Sequence, residues 1–162
     1  MFNKVCEIVN RVEEDTVLVI DDTIIERSGK KIEGADWFFG HSKGRNVYGI
    51  QAVTTVASGS RGIYPMLWQQ YVRKGKSEEF KSKIEMQKYA IDRCVEGGLK
   101  FSTVVMDSWY FDNSLVKFIE SKGKYWIAES KTNRLVLYNN KWINKRSNKK
   151  HENKGYGIIQ NR

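Results

Sequence analysis

In 162 residues the chain has one proline, two cysteines and two histidines, and no apolar run near the roughly 20 residues that cross a bilayer. Each scarcity excludes something. Cys6 and Cys94 have neither the number nor the CxxC spacing of a disulfide framework or a thiolate zinc site, so they read as reduced, buried thiols without chemistry. The first residues, MFNKVCEIVNRVEED, are charged every few positions where a signal peptide would be apolar. A cytoplasmic protein with no membrane partner is expected. No internal repeat and no linker rich in proline, glycine or serine divides the chain.

What is present is an excess of positive charge, unevenly placed. The net charge is +9, and residues 139–162 hold Lys141, Lys145, Arg146, Lys149, Lys150, Lys154 and Arg162 against Glu152 alone, so +6 of it sits there. A nearly balanced body with a basic tail suits contact with a polyanion, most simply nucleic acid, through phosphate neutralisation. On charge alone a solvated terminus explains the tail equally well. The expected organisation is one domain over 1–138 and a basic, poorly ordered tail over 139–162.

Phe2, Val5, Cys6, Val9 and Val12 recur at helical spacing, which predicts an amphipathic helix over 2–14. Thr16 to Ile20 is a β-branched apolar run suited to a strand buried on both faces, ending on Asp21 and Asp22. Four glycines punctuate a hairpin-like connection over 26–46, and VYGIQAVTTV at 47–56 reads as a second strand. IYPMLWQQYV at 63–72 is a third, and Pro65 places it at a sheet edge because it cannot donate to a ladder. Ser77 is expected to cap a helix with Glu78 and Glu79 in its first turn, ending at Gly97 and Gly98. FSTVVM at 101–106 is a strand ending on Asp107, a helix follows over 113–122, and KYWIAES at 124–130 is a fifth strand. Three strands in an antiparallel meander followed by βαβ give an α/β fold, a five-stranded mixed sheet with helices on both faces. One more hairpin fits across Asn139 and Asn140.

Acids at the ends of apolar strands pose a charge problem, because an unpaired carboxylate in an apolar setting is costly. If the strands before Asp21 and Asp107 are neighbours, their acids converge on the edge where open α/β sheets place ligands. Convergent carboxylates repel unless a cation intervenes, and Mg²⁺ suits a site of one or two carboxylates completed by water and phosphate. With two ions about 3.5–4 Å apart, one activates the attacking oxygen of a phosphodiester displacement and the other stabilises the leaving oxygen. For each acid alone, capping of a turn by Asp21 or Asp22, or of a helix by Asp107, is the structural alternative. An aspartyl-nucleophile phosphatase is excluded, because Thr23 and Ile24 stand where its second acid would be. Trp37, His41 and Trp109 read as core or surface residues, with stacking of Trp109 and Tyr110 on a nucleotide base as the functional alternative.

Four segments, IDDTIIERSGKKIEG at 20–34, HSKGRNVYGIQAV at 41–53, VVMDSWYFDNSLVKFIESKGKYWI at 104–127 and SKTNRLVLY at 130–138, stand in an order that resembles the catalytic domain of bacterial insertion-sequence DDE transposases. The resemblance implies a ribonuclease H-like fold with two divalent ions, Mg²⁺ or Mn²⁺, held by two aspartates and a glutamate. It implies nicking of DNA at transposon ends and transfer of the freed 3′-hydroxyl into target DNA, in a bacterial or archaeal cytoplasm at the nucleoid, with room for a homodimer of the intact protein. The first family aspartate commonly stands two before Ser or Thr, which matches Asp21 with Thr23 and leaves Asp22 as the neighbouring alternative ligand. The second matches Asp107. The third acid is a glutamate on a helix after the fifth strand, a setting that neither Glu129 nor Glu152 has, and the helices that usually precede the first strand are reduced to about one.

The expectation is therefore a DDE transposase fragment with Asp21 and Asp107 as metal ligands, Lys141, Lys145, Arg146, Lys149 and Lys150 on DNA, and no efficient strand transfer. Two alternatives stand beside it. One is a non-catalytic DNA-binding module; the other is a stand-alone ribonuclease H-like nuclease that borrows Glu129 or Asp36.

Overall fold

The computed structural model of the chain describes residues 1–29 and 31–129, together with the backbone of two further strands at 135–138 and 141–144. The apolar stripe at the start forms helix α1 (Phe2–Val12), which buries Cys6 and Val9. Strand β1 (Val17–Glu26) then runs for ten residues instead of ending at Asp21 and Asp22. The continuation has a local cause and a partner. Thr23, Ile24 and Ile25 are again β-branched, and the long β3 (Arg45–Ser58) pairs antiparallel with the whole of β1, from Val17 opposite Ser58 to Glu26 opposite Gly49.

Part of the expected connection is itself a strand. In β2 (Asp36–Gly40) Phe38 is buried while Trp37 and Phe39 are exposed, the alternation of an edge strand, and β2 pairs with the first residues of β3. A 3₁₀ turn over His41–Lys43 joins the two, closing at Gly44 with φ 62°. The main sheet thus has six strands rather than five. β4 (Ile63–Tyr71) lies at the edge beside β3, as its proline requires. The register there shifts between Thr55 and Val56, so Met66 becomes an extra residue that bulges into the core beside Pro65.

Helix α2 (Lys83–Glu96) begins later than Ser77 suggested. Ser82 is the cap: its hydroxyl accepts from the Glu85 N–H at 3.2 Å, and the Glu85 carboxylate accepts from the Ser82 N–H at 2.7 Å. That reciprocal pair needs an acid three residues on, which Ser82 has and Ser77 lacks. Ser77 instead accepts from the Glu79 N–H within a turn. β5 (Thr103–Met106) lies parallel to β1, helix α3 (Asn113–Ser121) follows with Asp112 as its cap, and β6 (Tyr125–Ala128) lies parallel to β5. The strand order is β2-β3-β1-β5-β6, with β4 paired to β3.

Residues opposite one another in register share a face, so Leu18, Ile20, Ala57, Val104, Met106 and Ala128 belong to one side of the sheet. Cys6 and Val9 of α1, Ile91 and Cys94 of α2, and Leu115 and Ile119 of α3 all join them in one core. Among the described residues the helices therefore cover one face, not both. β4, β5 and β6 run parallel and step across the sheet in one direction, so right-handed crossovers leave α2, between β4 and β5, and α3, between β5 and β6, on the same side. Burial pushes the Cys94 thiol up to about 12, in keeping with an inert core cysteine.

β7 (Leu135–Tyr138) and β8 (Lys141–Asn144) pair antiparallel as a separate two-stranded sheet, with Tyr138 opposite Lys141. Lys145, Arg146, Lys149, Lys150 and Glu152 lie outside the described residues, and Lys141 is described by its backbone alone. No described helix is long and apolar enough to cross a membrane.

Candidate active site

Because β1 continues through the acidic doublet, strand alternation sends its two carboxylates to opposite faces. Asp22 shares the face of Leu18 and Ile20 and is enclosed by donors. Its Oδ2 accepts from Gln51 Nε2 at 2.6 Å and from Lys83 Nζ at 2.9 Å, and its Oδ1 accepts from the Tyr110 hydroxyl at 3.0 Å. The three donors come from β3, the start of α2 and the turn after β5, so Asp22 ties together elements distant in sequence. Tyr110 is fully buried. Burial raises its hydroxyl well above the usual range, and the charge of Asp22 adds to the effect.

Asp21 faces the other way. Ile20 pairs with Met106 at the last step of the parallel β1–β5 ladder, so an aspartate follows on each side, Asp21 within β1 and Asp107 just past the end of β5. Adjacent strands lie about 4.8 Å apart, which sets the two acids side by side where β5 ends and β1 goes on. Among the described residues, Asp21 Oδ1 accepts only the N–H of Asp22, at 2.8 Å. Asp107 Oδ1 accepts from the N–H groups of Trp109 at 2.8 Å and Tyr110 at 3.1 Å. Asp107 thus shapes a tight turn, while helix α3 is capped by Asp112. Partial desolvation lifts the Asp21 carboxyl above its ordinary range; the charges of Asp22 and Asp107 lift it further, against the Asp22 N–H and Lys83.

Both aspartates open on a cleft of about 590 Å³ that is also lined by Thr23, His41, Lys43, Arg73, Lys83 and Trp109. Its cations already have acidic partners: Lys43 pairs with Glu26, Arg73 with Asp36 and the Trp37 carbonyl, and Lys83 with Asp22. The aspartate pair is the part of the cleft whose charge is least compensated. Among the described residues, no group of three or more His, Cys, Asp or Glu side chains is placed to hold a metal ion. Asp36 and Glu129, the acids a stand-alone nuclease would borrow, do not line this cleft.

Of the residues singled out from sequence, Asp21, Asp22, Thr23, Asp107 and Trp109 are brought together. Tyr110 is present but enclosed, so its ring is not available for stacking on a base, whereas Trp109 is 46% exposed. Sequence reasoning missed Lys83 and Gln51. Gln51 lies within HSKGRNVYGIQAV but without a role assigned to it, and each residue reaches Asp22 because β3 and α2 pack against β1. The sole local hint was Ser82-Lys83-Ile84-Glu85, whose capping box sets Lys83 in the first turn of α2.

The family description "DDE superfamily endonuclease" matches residues 4–154, which include both aspartates. Among solved structures the chain is similar to a piggyBac transposase in a synaptic complex with hairpin DNA, with a TM-score of 0.50 and 16% identity over 73% of this chain and 23% of that one. It is also similar to the Drosophila P element transposase in a strand transfer complex, with a TM-score of 0.37 and 10% identity over 87% and 36% of the two chains. The chain thus spans 23% of the piggyBac transposase it matches, and at such identity the likeness is one of fold, here ribonuclease H-like. No curated protein matches at the sequence level. With the family pattern running through α1, the mixed sheet and the aspartate-bearing ends of its central strands, the chain belongs to the DDE superfamily endonucleases.

Proposed function

We propose that this chain carries the catalytic sheet of a DDE transposase, in which Asp21 and Asp107 hold a divalent cation, Mg²⁺ or Mn²⁺, against a DNA phosphate. The observation that supports it is the register of β1 with β5, which sets two carboxylates side by side in an open cleft. The donor set fits such an ion. Among the described residues, the hydrogen bonds to these two carboxylates fall on Oδ1, so each offers Oδ2 as a hard oxygen ligand. A bound cation would supply neutralisation of the phosphate charge and a more acidic attacking water or hydroxyl.

The remaining residues act around that pair. Asp22 holds Lys83 at the cleft rather than serving as a ligand, since its own oxygens are already occupied by three donors. Thr23, on the same face as Asp21, lines the cleft two residues on. Lys141, Lys145, Arg146, Lys149 and Lys150 contact DNA phosphates, and transposon-end and target DNA are the substrates of the intact enzyme, acting as a homodimer. In sequence neither Glu129 nor Glu152 has the helix setting of the family's third acid, so cation and DNA binding are expected without efficient strand transfer.

Mn²⁺ titration followed by electron paramagnetic resonance, run beside cleavage of supercoiled plasmid, tests this. Mn²⁺ binding that weakens in both Asp21→Asn and Asp107→Ala is the expected result. Binding indifferent to both substitutions overturns the site, while robust cleavage abolished by Asp107→Ala upholds the site and overturns the inactivity. The same two-acid geometry also favours a second reading, a non-catalytic DNA-binding module. It predicts salt-sensitive DNA binding that ignores Asp21→Asn.

A further inference from the structure

We propose that Trp109 is a stacking platform for an unpaired DNA base beside the aspartate pair, an inference that rests on the DNA-processing reading of the site. Trp109 stands two residues after Asp107, lines the same cleft and leaves 46% of its surface open. An exposed indole on a turn would ordinarily be loosely held. This one is held on two sides: Lys83 Nζ sits over the ring, 4.8 Å from its centroid, and Tyr110 meets it edge-on with centroids 4.8 Å apart and planes at 76°. The backbone N–H of Trp109 donates to Asp107 Oδ1 at 2.8 Å and fixes the turn that carries the ring. Lys83 is in turn held by Asp22 at 2.9 Å, so the second acid of the doublet reaches the indole through the lysine.

A held aromatic ring, nearly half exposed and with a cation over it, is the combination that binds nucleobases without sequence preference. Trp37, Trp68 and Tyr125 are as exposed, yet none of them lines the cleft. Phe39 does line it, 52% exposed and edge-on to His41 at 5.1 Å, and offers a second aromatic surface on β2. A base within a duplex is stacked on both sides by its neighbours and has no face to give. The ligand class is therefore DNA in which the base next to the phosphate at Asp21 and Asp107 is unpaired or swung out of the helix.

The test uses the full chain with a DNA duplex carrying one bulged 2-aminopurine, beside the same sequence fully paired. The bulged duplex is expected to bind more tightly and its 2-aminopurine emission to fall on binding. Trp109→Ala should weaken binding of the bulged duplex by about 5- to 150-fold, the range for losing one stacked base, restore the emission and leave the paired duplex unaffected, while Trp109→Phe keeps most of the preference. Equal binding of the bulged duplex by the wild type and Trp109→Ala overturns the inference and leaves the DNA-processing reading standing. A parallel loss for both duplexes marks a structural role and also overturns it. Failure of the wild type to bind either duplex overturns both.

Discussion

Removing the Asp22 carboxylate should be among the most destabilising single changes near the cleft. The Asp22 and Lys83 side chains are only 18% and 12% exposed, and Tyr110 is fully buried, so Asp22→Ala leaves an ammonium and two polar groups without their acceptor. Breaking a fully buried ion pair costs about 3–5 kcal/mol, and partial access of water to this one places it near the lower end, at about 3 kcal/mol. For a chain of this size that lowers the melting temperature by roughly 6–12 °C. Asp22→Asn keeps the shape and an acceptor for Lys83, so about half of the loss is expected from removing the charge alone. In a double-mutant cycle with Lys83→Met, thermal and guanidinium unfolding should show a coupling of about 1–2 kcal/mol. An Asp22→Ala variant within about 0.5 kcal/mol of the wild type, the level of an ordinary surface change, would refute the reasoning. So would strict additivity with Lys83→Met.

Other outcomes follow from the same structure. Ser82→Ala removes the capping box of α2 and should cost about 1 kcal/mol, read by chemical unfolding. Leu115→Ala or Ile119→Ala opens the buried face of α3 and should cost about 2–5 kcal/mol. Glu13 is buried at the end of α1 and accepts from Tyr64, Arg61 and Ser60; against the cost of burial, these bonds hold its carboxyl below the usual range. Its contribution is therefore present above the unfolded-state carboxylate pKa and lost as pH falls through the folded one, and Glu13→Gln should flatten the acid side of the stability profile. Asp21 has the opposite sign. Its raised carboxyl disfavours the folded state once ionised, so Asp21→Asn should raise the neutral-pH melting temperature while abolishing any rise on adding Mn²⁺.

Much of this geometry was legible before any coordinates. An apolar run that stops at Asp107, with a second acid after VLVI, is enough to predict two carboxylates at one sheet edge, since parallel neighbours and right-handed crossovers leave few arrangements. The division of labour within the doublet was less accessible. It depends on β1 continuing past Asp22, and that continuation is secured by β3, a partner more than twenty residues away along the chain. DWFFG, at five residues, is too short to stand out from a glycine-punctuated connection, so nothing in the sequence marks the sixth strand. Ser77 and Ser82 both look like caps, and only the position of Glu85 separates them. Nothing local says that Lys83 and Gln51 reach Asp22, because what makes them part of the site is the packing of other elements against β1.

The β1–β5 seam has a consequence for the order of folding. Asp22 and Tyr110 are 88 residues apart in the chain, and the ladder beside them joins strands that are far apart in sequence. The β2–β3 and β3–β4 ribbons are local by comparison, and loop closure over long stretches is what slows non-local pairing. The seam is thus expected to close late, after the ribbons have formed and α2 has begun to cap. Until it does, the two aspartates are far apart and Trp109 has no lysine to hold it. The charge pair comes into being only with the completed sheet, so a nascent or partly unfolded chain carries the residues of the site without the site.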